Sequence, residues 1–120
     1  MVIYTAQIAQ WRKVTSRGVE LIDTTVKSGE PAFAPTWQMV MDVKSGALSE
    51  VEYRRQYIDL MRESFHAHRA MWEDLMAKEN SALGCYCKAG TFCHRYILQE
   101  MVLWLANQRG ILATSGGEIS

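Results

Sequence analysis

Apolar and polar residues change their period several times along the chain, and each change marks an element. Val2 to Thr5 is a short apolar, β-branched run that predicts a first strand. Ala6 to Val14 predicts a short helix or turn, with Ile8 and Trp11 three residues apart on one face, and Arg17-Gly18 ends it. Val19 to Thr25 (VELIDTT) predicts a second, mostly buried strand whose polar residues gather at its carboxyl end. Gly29, Pro31 and Pro35 mark the stretch from Val26 to Thr36 as a loop. Thr36 is placed to cap a helix carrying Trp37, Val40, Met41 and Lys44, ending near Gly46. Ser49 and Glu52 form a capping box, each side chain answering a backbone donor at the start of the next helix. Tyr53, Tyr57, Leu60 and Met61 then recur at helical spacing. Between Ser64 and His68 the pattern restarts with Phe65, Ala70, Trp72, Leu75 and Met76, which predicts two helices with a break. Asn80 closes this helical middle.

Ala82 to Cys87 (ALGCYC) predicts the third strand, and Thr91 the N-cap of a helix running from Phe92 to about Gln108. Gly110 fits the left-handed terminating position. Ile111 to Ala113 is expected to be a short fourth edge strand, and Thr114 to Ser120 a flexible tail. Strands separated by helical segments require crossovers. The expected class is α/β: a single domain over 1–120 with a mainly parallel sheet of three to four strands and helices on both faces. The helical middle is long for one crossover, so part of it is expected to cap the site. No internal repeat or low-complexity tract interrupts this organisation.

Composition narrows the function classes. A length of 120 residues with 48% hydrophobic positions suits one packed core. Thirteen basic and thirteen acidic residues cancel, so no global field draws the chain to nucleic acid or anionic membrane, although a local basic patch remains open. No apolar run approaches the roughly 18 residues that span a bilayer. The opening MVIYTAQIAQW has no basic leader before an apolar core, so no secretory signal is expected. Three cysteines clustered within nine residues suit reduced thiols in a cytoplasmic protein better than a disulfide framework.

Candidate chemistry concentrates in one stretch, Ser81 to Leu105 (SALGCYCKAGTFCHRYILQEMVLWL), where a strand hands over to a helix. Ligands of parallel sheets bind beyond the carboxyl ends of the strands, and helix amino ends attract anions. Alternation would put Cys85 and Cys87 on the same side of the strand. Cys93 and His94, in the expected first helical turn, would lie among unpaired backbone N–H groups that stabilise a thiolate. Cys93 is therefore the first candidate nucleophile and Cys87 the next, with His94 as general acid/base or orienting group. Arg95, Lys88, Gly90 and Thr91 would hold an anion, joined by Tyr4, Thr5, Asp23 and Thr24 from neighbouring strand ends. Cys85 reads as a small buried hydrophobe. Zinc is disfavoured because Cys-x-Cys followed by adjacent Cys93 and His94 departs from the usual paired spacings, and His66-x-His68 faces two ways on a helix. The cysteine phosphatase spacing is also absent, with seven residues rather than five between Cys87 and Arg95.

Cys85, seven residues, then Cys93-His94-Arg95 opening an apolar helix resembles the bacterial and phage family numbered 488 among domains of unknown function. Tyr4-Thr5, Asp23, Phe33, Pro35, Tyr53 and Tyr57 extend the resemblance over most of the chain. It implies a small Rossmann-like domain, a site containing Cys85, Cys93, His94 and Arg95, and a phage or mobile-element context. Many relatives carry an acidic residue where this chain has Cys87.

Three functions stay open at this point. The leading one is a protein that binds a phosphate-bearing small molecule, a nucleotide or a nucleic-acid end, with or without cysteine-dependent catalysis. The second is a non-catalytic factor, phage-encoded, that sequesters a ligand or blocks a host protein in the bacterial cytoplasm. In it Trp11, Trp37 and Trp72 would line an interface, although their helical spacing favours the core. The third is a zinc-stabilised module. No cofactor and no membrane partner is expected.

Overall fold

The computed structural model describes residues 1–120. Four strands form one sheet: β1 (Val2–Gln7), β2 (Glu20–Asp23), β3 (Asn80–Cys85) and β4 (Thr114–Ile119). Their order is β2-β3-β1-β4 and every pairing is parallel. A 3₁₀ turn (Ile8–Gln10) and α1 (Trp11–Ser16) join β1 to β2. Helices α2 (Trp37–Ser45), α3 (Glu50–Ala67) and α4 (Arg69–Ala77) lead into β3, and α5 (His94–Gln108) leads into β4. The protein is thus a small Rossmann-like α/β domain. No helix is long and apolar enough to cross a membrane.

Alternation along the strands sorts the core into two layers. Ile3 and Leu83 face α2–α5 and pack with Phe33, Tyr57, Trp72 and Leu98. Ala6 and Ala82 face the other way, onto Val14 of α1 with Val19 and Ile119. Register makes three strands end together, because Gln7 pairs with Cys85 and Asp23 with Gly84. The chemistry at those ends therefore shares one rim of the sheet.

Several elements follow their local signals. The Thr36 hydroxyl accepts from Met39 N–H at 3.1 Å, and Gly46 closes α2 at φ 82°. The Ser49 hydroxyl accepts from Glu52 N–H, but the Glu52 carboxylate turns to Arg55, so only half of the capping box forms. The helical middle breaks at His68 (φ −125°, ψ 43°), within the expected interval. There Trp72 Nε1 donates to Ser64 Oγ, which donates to Ala32 O, and Tyr57 Oη donates to Phe33 O, tying the long loop to α3.

Four expectations need correction. β3 begins at Asn80 and stops at Cys85, so Cys87 lies beyond the strand and alternation does not place it beside Cys85. α5 begins at His94 with Cys93 at the N-cap, because Thr91 Oγ1 donates instead to Lys88 O and closes the preceding turn. Ile111 to Ala113 is not a strand; the fourth strand is Thr114–Ile119, the segment expected to be a tail. Its glycines do not loosen the chain. The pairing shifts between Ile3 and Tyr4, leaving Gly116 as a bulge under the Tyr4 ring, where any Cβ would collide with the ring. Finally, Trp72 is core, whereas Trp11 and Trp37 are exposed by about half.

Candidate functional site

The site grows from a buried guanidinium. Arg95, in the first turn of α5, has no exposed surface, so each of its five N–H groups needs a protein acceptor. Nη1 donates to Cys85 Sγ at 2.8 Å and to Cys87 O at 2.9 Å. Nη2 donates to Tyr96 Oη at 3.0 Å and to Glu118 Oε2 at 2.9 Å, and Nε reaches Glu118 Oε1 at 3.4 Å. The Glu118 carboxylate also accepts from Thr5 Oγ1 at 2.5 Å and Tyr96 Oη at 3.1 Å. Tyr96 Oη in turn accepts from Gly90 N–H at 3.0 Å. One charge pair thus fastens β1, β4, the loop after β3 and the start of α5.

The sulfurs of Cys85 and Cys93 lie against each other, and Arg95 Nη1 is 3.7 Å from Cys93 Sγ. The Cα atoms of the two cysteines are 7.9 Å apart, beyond the roughly 4.4–6.8 Å that a disulfide usually spans, so we read the pair as converging thiols. The Arg95 guanidinium thus gives Cys85 Sγ a charge-assisted hydrogen bond.

His94 is also buried, and its hydrogen bonds settle its tautomer. Thr24 Oγ1 gives its only proton to Gly84 O at 2.8 Å. Thr24 Oγ1 and Thr24 O, each 2.9 Å from His94 Nε2, are then both acceptors, so Nε2 carries the proton. Nδ1 keeps a lone pair and faces Cys93 Sγ at 3.8 Å. Burial lowers the His94 pKa to about 4, and the Arg95 charge adds to that, so the ring is neutral near pH 7. Tyr57 stands beside the ring at 5.5 Å.

The expected site residues separate into groups. Cys93, His94, Arg95, Thr5 and Thr24 meet in this buried centre, together with Cys85, which reads as a small buried hydrophobe by its pattern but which the family resemblance places in the site. Cys87 is a free, half-buried thiol on the rim. Lys88, Gly90 and Thr91 form the exposed turn above it, with Gly90 at φ 79°. Asp23 holds its own loop, accepting from Thr25 N–H at 2.9 Å and Ser28 Oγ at 2.6 Å. Those bonds keep its carboxyl below the usual range although burial, the largest single influence, opposes them. Tyr4 points to the opposite face of the sheet, under the Arg17 guanidinium, and takes no part. Arg95 does not present donors to solvent, since the protein itself uses them all. Two residues escaped sequence reading, Tyr96 and Glu118. Tyr96 adjoins the Cys-His-Arg run, but Glu118 sits among glycines where nothing in the pattern signals a strand.

A family model described as DUF488-N3a, the active DUF488-N3 subclade, matches residues 5–105. The chain belongs to the DUF488 family. No curated protein and no solved structure matches it. In this DUF488 domain the motif residues Cys85, Cys93, His94 and Arg95 form one buried cluster at the sheet's carboxyl rim, and Cys87 stands outside it.

Proposed function

We propose that this DUF488 domain binds a phosphate-bearing ligand, a nucleotide or the end of a nucleic acid, over the 86–92 loop, and that Cys87 is its reacting thiol. The observation that carries this reading is the division of the three cysteines. Cys85 and Cys93 are sealed with Arg95, whereas Cys87 is free and partly exposed beside Lys88. The buried cation orders the loop through Cys87 O, and Lys88 supplies the exposed charge for an anion. In a substitution, the Cys87 thiol would give up its proton to water, its Sγ would bond to the ligand's electrophilic atom, and the leaving group would depart with the bonding pair. His94 holds Thr24 and with it the loop after β2, because its single proton is committed to Thr24.

Calorimetry with a 5′-phosphorylated oligonucleotide, its unphosphorylated twin and a nucleoside triphosphate tests the binding. Lys88→Ala should weaken the phosphorylated ligands by about tenfold, as the loss of one partly exposed charge contact implies. Equal affinity for the unphosphorylated twin would remove the phosphate from the proposal. Cys87→Ser should retain binding and lose any covalent adduct seen by intact-mass measurement.

A second reading, a non-catalytic protein-binding factor, is favoured by the exposure of Trp37 and Met41, one turn apart on α2. Under that reading Trp37→Ala abolishes capture of the host protein and Cys87→Ser does not.

A further inference from the structure

We infer that Cys85 Sγ, Cys93 Sγ and His94 Nδ1 form a binding site for a zinc-class divalent cation. The three side chains offer donor atoms that all lie within 4.8 Å of one another. Around a tetrahedral ion, with Zn–S near 2.3 Å and Zn–N near 2.0 Å, neighbouring donors stand about 3.5 Å apart. Cys93 Sγ and His94 Nδ1 are already 3.8 Å apart. The two cysteine sulfurs, which lie against each other, would separate by side-chain rotation to take their places on the ion, while Cys93 Sγ and His94 Nδ1 already stand near ligand spacing.

Independent features of the cluster point to a cation. His94 is 7% exposed, and its Nδ1 lone pair has no hydrogen-bond donor other than the neighbouring thiol. Its other nitrogen donates to a backbone carbonyl, the second contact that fixes a metal-binding imidazole in its tautomer. Two thiolates would balance a divalent ion, while the Arg95 charge is separately met by Glu118 at 2.9 Å. Arg95 Nη1 donating to Cys85 Sγ is then the outer contact that supports a ligating thiolate. Sulfur and imidazole donors select zinc over magnesium or calcium, which take oxygen.

The unusual spacing of the ligands is no obstacle in three dimensions. Cys93 holds extended backbone angles (φ −159°, ψ 145°) and His94 begins the helix, so their side chains turn to the same point despite being adjacent. The ion would tie the end of β3 to the start of α5, beneath the loop that carries Cys87. Three protein ligands leave one tetrahedral position for solvent or another donor. The inference stands apart from the phosphate reading, since Cys87 and Lys88 contribute no ligand to it.

Elemental analysis of protein purified without a metal-affinity tag should find stoichiometric zinc, retained in Cys87→Ser and lost in Cys85→Ser and Cys93→Ser. Because those two variants can fail to fold, the wild-type chain provides the deciding measurement. After reduction and chelation it is titrated with Co(II) alone. Intense thiolate-to-cobalt charge-transfer absorption with tetrahedral d–d bands, displaced by Zn(II) and accompanied by a higher melting temperature, is the expected result. No charge-transfer band from the reduced wild-type chain, or the same band from a folded Cys93→Ser variant, overturns the site. Loss of phosphorylated-ligand binding in Lys88→Ala with the cobalt spectrum unchanged keeps the two proposals distinguishable.

Discussion

A guanidinium without exposed surface survives only when its charge and its donors are all answered, and Arg95 meets both conditions. Arg95→Met would keep much of the volume but strand the Glu118 carboxylate and free Cys87 O. A loss of about 3 kcal/mol is expected, measured as a lower urea midpoint with little change in slope. Arg95→Lys should recover only part of it, because an ammonium cannot reach five acceptors. His94 gives the residue scale a pH signature in chelator-treated protein. Its folded pKa of about 4 lies below the unfolded 6.5, so the unfolded chain binds the extra proton first. The stability from keeping the ring neutral is fully present above pH 6.5, declines as pH falls from there to about 4, and is lost below. The decline amounts to about 3 kcal/mol, and His94→Gln should flatten it in acid-denaturation curves.

At the scale of elements, the β3–loop–α5 unit and the loop after β2 act together. Thr24 reaches His94 and Gly84 O, while Ser28 lies 2.9 Å from Tyr86 Oη. The loop after β2 turns at Gly29, where an added Cβ would strike Thr25 N, Asp23 O and Asp23 Oδ1. Gly29→Ala should therefore displace Thr24 from His94, costing about 1–3 kcal/mol by the overpacking mechanism. The His94 ring resonances should shift in NMR spectra. Unchanged resonances would show that the loop absorbs the methyl elsewhere. The strand–loop–helix order was legible in Ser81 to Leu105, but its joints were not. Thr91 satisfies the local rule for an N-cap, yet its hydroxyl closes the Lys88 turn, and two residues of expected helix become loop.

At the scale of the molecule, β4 is what completes the site. It pairs with β1, covers an otherwise open sheet edge and delivers Glu118 to Arg95. Truncation after Ala113 should expose the β1 edge and leave Arg95 unpaired, a combination that favours aggregation. Size-exclusion chromatography should then show loss of the monodisperse peak, whereas a dispensable tail would leave it unchanged. Glu118→Gln separates the two effects, since it retains the strand while removing the charge.

Periodicity, caps and glycine punctuation determined the α/β class, the parallel crossovers, the α3–α4 break and the place of the cysteine cluster, because those depend on residues close in sequence. The strand order, the Glu118–Arg95 pair and the division of the thiols were decided only by tertiary structure. Glu118 lies 23 residues from Arg95 and 113 from Thr5, separations across which no sequence period carries information. TSGGEI has little strand propensity of its own; it becomes a strand because β1 offers an unpaired edge and Arg95 a buried charge to neutralise.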